Sequence, residues 1–343
     1  MASLDPAVLD VVAVEEWMAE RVEELARPLE ISQVAGGNSN LTFLLSERAG
    51  RRWVLRRPPT GHTLETAHDM AREYRAQAAL QGSRVPVVPM VGLATDVLDV
   101  PFYVMDFVDG LIVRNAEDAT SMLSVEVRRR VSENLVDGLV ELHAIDPSAV
   151  GLERHGRPGG YLERQLHRWH RQWEMTPGRR PLAAIDEVHD ELVRQMPEQS
   201  RSSIVHGDFR LDNTVVDEHG ELLAVLDWEL STLGDPMADL GTMLAHWVDV
   251  GLGVLTSVEG FWTPEQVGAD YVAKTGLDLA LVDYYRAFAH WRLACICEGV
   301  FVRYRDGAMG GGEIELEDYG RLTAGHASLA QDLLGGSRAT STD

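Results

Sequence analysis

Two acidic strings, each closing an apolar run, constrain this chain more than any other feature of it. The first reads His206-Gly207-Asp208-Phe209-Arg210-Leu211-Asp212-Asn213 and follows the strand-like Ser203–His206. The second, Leu223-Ala224-Val225-Leu226-Asp227-Trp228-Glu229, lies just beyond the turn Asp217–Gly220. A carboxylate at the end of an apolar strand is costly to desolvate unless it pairs, binds a metal or faces a cleft. The runs Asn213–Val216 and Leu222–Asp227 flank the turn and predict a hairpin, which would draw Asp208, Asn213 and Asp227 near one another. Magnesium takes hard oxygen ligands, usually one or two carboxylates plus substrate phosphates, and Asn213 and Asp227 suit it. A carboxylate left free of metal can accept a hydroxyl proton as general base, and Asp208 suits that role. The competing reading is ordinary turn chemistry, with solvated acids and an Asx-turn asparagine.

The frame around this hairpin changes character along the chain. Val11, Val14, Met18, Val22 and Leu25 step by three and four, a helical stripe that Pro28 closes. Ile31–Val34, Leu41–Ser46 and Arg52–Arg56 read as short strands, punctuated by Gly36-Gly37-Asn38 and Ala49-Gly50. A helix is expected over Ala67–Gln81, then strands over Val87–Leu93 and Phe102–Phe107. Beyond Asp109-Gly110 the pattern is helical. It has a stripe at Val131, Leu135, Leu139 and Leu142 and an excursion at 160–196 around Thr176-Pro177-Gly178. Further helices are expected over Pro236–Val248, Pro264–Thr275, Val282–Tyr304 and Tyr319–Leu334. The expected class is α+β in two lobes. A helix at 1–28 precedes a small antiparallel β N-lobe with one helix at 29–108. A larger helical C-lobe at 109–335 holds the hairpin, and a frayed tail occupies 336–343.

Composition narrows the partners. Fifty-four acidic against 31 basic residues leave a net charge of −23, which a nucleic-acid backbone would repel. The 45% apolar content excludes a wholly disordered chain. No apolar run is long enough for a membrane span, and the start Met1-Ala2-Ser3-Leu4-Asp5-Pro6 lacks a signal-peptide pattern, so a soluble cytoplasmic protein is expected. Cys295 and Cys297 fall on different faces of a helical pattern and are expected to be reduced packing residues.

The order His-x-Asp-x4-Asn, followed after a hairpin by Asp-x-Glu, is the catalytic-loop and metal-loop layout of protein-kinase-like phosphotransferases. Gly207 in place of arginine, and Asp-Trp-Glu in place of Asp-Phe-Gly, exclude an ordinary protein kinase. The string 206–213 and Leu226–Leu240 closely resemble the aminoglycoside phosphotransferase (APH) family, which is choline kinase-like. The nearest likeness is to the branch fused to acyl-CoA dehydrogenases in animals, which also occurs as separate bacterial proteins. Gly36–Asn40, Val54–Pro59, Arg72–Arg75 and Leu142–Pro147 agree with it, and the likeness covers roughly residues 30–300.

The resemblance implies a protein-kinase-like two-lobed fold and a small-molecule kinase using Mg2+ and ATP, with GTP not excluded. It makes Asp208 the base toward the acceptor hydroxyl and Asn213 and Asp227 the magnesium ligands, with Asp239 bracing the catalytic loop. Asp235-Pro236 fits a helix start. The loop Gly36-Gly37-Asn38-Ser39-Asn40 would cover the phosphates. In the interlobe hinge, Asp106 and Val108 would meet the adenine edge, with Met105 against the ring. The family's strand lysine is missing: Lys274 is the only lysine. Arg56 is left to take its role, with Glu73 as partner, and the longer planar fork leaves open a weakened enzyme.

The acceptor helices are expected at about 154–198. Arg154, Arg157, Arg164, Arg168, Arg171, Arg179 and Arg180, with His155, His167 and His170, favour an anionic, partly apolar acceptor over a polyamine. The branch resemblance implies a hydroxyacyl thioester of coenzyme A or a hydroxy acid. An aminoglycoside O-phosphotransferase is the alternative acceptor reading. An ATP-binding pseudokinase regulating a partner is the alternative of another class, and a metal-dependent hydrolase lacks suitably spaced ligands.

Overall fold

Alternating burial along Leu41–Ser46 and Arg52–Arg57 marks two strands of an antiparallel sheet. The computed structural model describes residues 9–34, 40–59, 69–248, 255–306 and 316–339. The chain divides into two units: Met1–Gly110 with Leu223–Ser231, and Leu111–Leu222 with Thr232–Asp343.

In the first unit, helix α1 (Val11–Ala19) is capped by Asp10, whose carboxylate accepts from Ala13 N–H at 3.1 Å. Strands β1 (Glu30–Gln33), β2 (Leu41–Ser46) and β3 (Arg52–Arg57) lead to helix α2 (Met70–Leu80), then β4 (Met90–Ala94) and β5 (Phe102–Asp106). The sheet order is β1-β2-β3-β5-β4, antiparallel throughout. One face carries Phe43, Leu45, Trp53, Leu55, Phe102 and Val104 into a core shared with Trp17 of α1. Trp17 meets Phe102 edge-on at 5.2 Å. It also packs so close to Gly92 that a β-carbon there would lie 3.2 Å from the indole.

The N-terminal helix is shorter than its periodicity predicts. It ends at Ala19, yet Val22 and Leu25 still pack against the same core. Arg21 donates to Trp17 O at 2.9 Å, and the segment beyond is tied to other parts of the unit, Ala26 N–H to Glu47 and Leu29 N–H to Glu15. Apolar spacing thus located buried residues correctly but not their backbone.

The second unit is helical: α3 (Ala116–Met122), α4 (Val125–Ala144), α5 (Tyr161–Met175) and α6 (Ala183–Arg194) precede β6 (Ser203–Val205) and β7 (Thr214–Val216). Strand β8 (Leu222–Val225) follows a turn closed by Asp217 N–H to Glu221 O at 3.0 Å. Then come β9 (Thr232–Gly234), α7 (Pro236–His246), α8 (Pro264–Thr275), α9 (Val282–Arg305) and α10 (Leu316–Ala339). Residues 335–339, expected to fray, continue α10, and 340–343 lie outside the described residues. Strand β6 pairs with β9, so the loop after Val205 leaves from a fixed edge. Helices α7 and α9 pack backbone to backbone at Gly241, where a β-carbon would lie 2.3 Å from Tyr285 O. Cys295 is buried and Cys297 half-buried; both are free. No described helix is long and apolar enough to cross a membrane.

Candidate active site

In the first unit the candidate residues assemble on the face of the sheet opposite the Trp17 core. Period two puts Trp53, Leu55 and Arg57 on one side of β3 and Arg56 on the other. There Arg56 Nη1 donates to Glu73 Oε1 at 2.7 Å, and both Nη atoms lie 3.2 Å from Asp227 Oδ1. Tyr103, the cross-strand neighbour of Arg56, donates its hydroxyl to the same Glu73 oxygen at 2.7 Å. Burial works against the charge of Arg56, but Tyr103, Glu73 and Asp227 more than outweigh it and hold its pKa above the ordinary value. Arg56 Nε and Glu73 Oε2 are buried without a hydrogen-bond partner among the described residues. An unmade hydrogen bond of this kind costs about 1–3 kcal/mol, and an anionic oxygen is the partner a buried guanidinium N–H lacks.

Asp227 sits in the left-handed region, φ 61°, one of two non-glycine residues there among those described. That backbone costs roughly 1–2 kcal/mol. Its carboxylate does not cap the single-turn helix Trp228–Leu230 that it precedes; it turns to Arg56 instead. Helix α2 holds the other end of the same loop, with Arg72 Nη2 donating to Ser231 O at 2.8 Å. Asn40 Nδ2 lies 3.4 Å from Glu229 Oε2, and Asn40 Oδ1 is a buried acceptor without a hydrogen-bond partner among the described residues. Gly36, Gly37, Asn38 and Ser39 lie outside the described residues.

The hinge candidates follow β5. Met105 is buried opposite Val54, and Val108 is half-buried beyond the strand end. The Asp106 N–H is already taken by Pro89 O at 2.8 Å, and its carboxyl is bound by Trp53. A base edge at this strand would therefore meet the Asp106 carbonyl and the Val108 backbone.

The second unit carries the loop that follows β6. Asp239, in the first turn of α7, accepts from His206 N–H at 2.5 Å and Gly207 N–H at 2.7 Å. His143 stands 3.3 Å from Asp239 Oδ2, and Arg292 of α9 donates to Gly207 O at 3.0 Å. The buried His206 ring accepts from Asp208 N–H at 3.2 Å. Asp235 caps α7 through Met237 N–H at 3.0 Å and accepts from Tyr285 at 2.7 Å.

Asp208 itself is fixed through one oxygen. Oδ2 accepts from Asn213 Nδ2 at 2.9 Å and lies 3.2 Å from Arg210 Nε. Burial raises the Asp208 pKa, but the guanidinium of Arg210, with that of Arg292, pulls it below the ordinary value, so the carboxylate is ionised. Because the Asn213 NH2 is spent on Asp208, its amide oxygen is the atom of that side chain able to face a cation. The structure thus brings Asp208 together with Asn213, and Arg56 with Glu73 and Asp227, in the two separate units.

Sequence reasoning passed over Arg210, His246 and Tyr103. Arg210 stands inside the quoted motif, but nothing local marks it as the partner of Asp208. Three of the seven arginines of the excursion are spent on structure. Arg164 binds the carbonyls of Arg157 and Gly159, Arg179 lies 4.6 Å over the Trp173 ring, and Arg180 is paired with the buried Glu298. Arg168 and Arg171 instead line a cavity of about 460 Å³ with Arg303 of α9, which the sequence did not single out, and with Met175, Pro177 and Val302.

Comparison with known proteins follows the same lines. A family model described as the phosphotransferase enzyme family (APH) matches residues 30–265. The chain is 33% identical over 319 residues to acyl-CoA dehydrogenase family member 10 of Mus musculus, covering 89% of this chain and 29% of that protein. It is 31% identical over 288 residues to acyl-CoA dehydrogenase family member 11 of Homo sapiens, covering 80% and 36%. The chain therefore spans about a third of the length of these curated relatives. A crystal structure of a candidate aminoglycoside phosphotransferase from Ralstonia eutropha matches with a TM-score of 0.80 and 31% identity, over 95% of this chain and 98% of that one. Aminoglycoside phosphotransferase APH(4)-Ia, in a ternary complex with ADP and hygromycin B, matches with a TM-score of 0.62 over 94% and 98%. At 15% identity that likeness concerns the fold alone, which is the α+β, protein-kinase-like one expected from the sequence.

Proposed function

The chain belongs to the phosphotransferase enzyme family, and from that premise we propose that it moves the γ-phosphoryl group of a nucleoside triphosphate to a hydroxyl of a small, elongated anion. The observation that carries this reading is Asp208: ionised, pinned through Oδ2 by Asn213 and Arg210, and bare at Oδ1. A carboxylate held in this way can take a proton from a hydroxyl. Arg56 would hold phosphate oxygens, oriented by Glu73, and the Asp106 carbonyl and Val108 backbone would meet the base. Magnesium, when bound, would neutralise charge on the transferring group. Asn213 and Asp227 would hold it, a sparse oxygen donor set of the kind that ion takes alongside phosphates. Among the described residues no cluster of three or more His, Cys, Asp or Glu side chains stands at metal-binding spacing, so the phosphates would complete the coordination.

The cavity of Arg168, Arg171 and Arg303 supports the acceptor class. Arg292, bonded to Gly207 O, and Gly299 and Arg303 of the cavity recur on one face of α9. By helical rise they lie about 10–17 Å apart along the axis. A hydroxyacyl thioester of coenzyme A, or a hydroxy acid, has the length, the apolar middle and the negative end for such a stripe. The test is an acceptor screen with labelled ATP and GTP against hydroxyacyl-CoA thioesters, hydroxy acids and aminoglycosides. Transfer confined to aminoglycosides would overturn the anionic class. Magnesium-dependent nucleotide binding with no transfer to any of them would favour a regulatory pseudokinase.

Arg56 has its own expected result. Arg56→Ala should lower both nucleotide affinity and turnover, and Glu73→Ala should do so less. The double variant should be little worse than Arg56→Ala, because groups acting as one unit are non-additive. Arg56→Lys should keep partial or better activity, since an ammonium also binds phosphate. Steady-state kinetics with nucleotide titration checks all four; normal behaviour of Arg56→Ala would remove it from the site.

A further inference from the structure

The bare oxygen of Asp208 has one close polar neighbour among the described residues. His246 Nε2 stands 3.7 Å from Oδ1, beyond a direct hydrogen bond, and is buried without a hydrogen-bond partner among the described residues. His246 is the last residue of α7, the helix whose Asp239 clamps the loop carrying Asp208. One rigid element therefore sets both the carboxylate and the imidazole. Among the described residues, the charged and titratable groups facing the ring are Arg210, Asp208, His326, Arg292 and His290. Burial first, then Arg210, lower its pKa to about 3 against the pull of Asp208. The ring is neutral and carries one N–H.

Two polar atoms at this spacing can share a third. An oxygen about 2.8 Å from each would lie within ordinary hydrogen-bond distance of both. We propose that His246 is a second hydroxyl-binding residue of the transfer reaction, its Nε2–H donating to the acceptor oxygen whose own proton goes to Asp208 Oδ1. The proposal rests on the reading of Asp208 as base. The acceptor O–H bond breaks and its proton passes to Oδ1. An oxygen lone pair forms the new bond to the γ-phosphorus, and the bond from that phosphorus to the bridging oxygen breaks, its electrons leaving with the nucleoside diphosphate. A hydroxyl oxygen has two lone pairs. With one accepting from Nε2–H and the hydrogen directed at Oδ1, the remaining pair has a single direction, which is the orientation that attack requires.

The test compares H246Q, which keeps an N–H donor near the place of Nε2, with H246M, which fills a similar volume without one. D208N is measured alongside, all in the full chain. Thermal unfolding and nucleotide affinity are recorded first, and H246L replaces H246M if the latter does not fold. Transfer is then measured to water, hydroxybutyryl-CoA, hydroxybutyrate and kanamycin, taking the fastest acceptor of the parent. H246M should lower kcat about 10²-fold, the scale for losing one well-placed donor, with a smaller change in KM. H246Q should recover to within about tenfold of the parent. Equal rates for the two variants, or H246M within about twofold of the parent, would overturn the role of His246 while D208N stays inactive. Activity in D208N would instead overturn the base assignment beneath it.

Discussion

Asp208→Asn is expected to abolish phosphoryl transfer while leaving nucleotide affinity nearly intact. The substitution preserves shape but cannot accept a proton, a loss of about 10²–10⁴-fold when a general base is removed. Nucleotide affinity should hold because Arg56, Glu73 and Asp227 belong to the other unit and are untouched. The fold should hold too, because the loop is clamped by Asp239 through the backbone of His206 and Gly207, not through the Asp208 side chain. Turnover and nucleotide binding measured on one preparation decide it. Retention of more than about a tenth of the parent rate, against that range, would exclude Asp208 as the base.

Asp227→Ala should remove transfer and weaken magnesium-nucleotide binding together, which separates it from Asp208→Asn. Two effects combine. The variant lacks the carboxylate assigned to the metal, and Arg56 loses one of its two acidic partners, since Asp227 Oδ1 meets both of its Nη atoms. A drop of about 10²-fold or more in kcat is expected, on the scale for groups that stabilise the transferring charge. Little stability should return, because alanine at φ 61° is no less strained than aspartate. An unchanged magnesium dependence in this variant would take Asp227 out of the metal site.

Much of the candidate site was legible in the chain because its parts are local. The strings 206–213 and 226–240 hold the candidate base and metal residues, the loop brace and the helix cap within short spans, where spacing along a strand or a helix turn decides reach. Asp239 meets His206 and Gly207 as the family resemblance implied, and Asp235 meets Met237 as its place before Pro236 implied. The strands of the small sheet followed from short β-like runs between turn residues, and burial alternates along two of them, Leu41–Ser46 and Arg52–Arg57. That alternation also put Arg56 on the face away from Trp53, and the missing lysine pointed to its pairing with Glu73.

What spacing could not supply was set by packing between distant segments. Val22 and Leu25 are buried as their periodicity implies, yet helix α1 stops at Ala19, because burial pattern does not dictate backbone when tertiary hydrogen bonds compete. Tyr103 on Glu73, Arg303 beside Arg168 and Arg171, and His246 opposite Asp208 each join residues far apart in sequence. The sequence by itself determined that an ionisable aspartate would follow β6. Neighbours in the same loop, Asn213 and Arg210, hold its Oδ2, and only the docking of α7 decided that the His246 ring stands opposite Oδ1, since a side chain's distant neighbours depend on where whole helices come to rest.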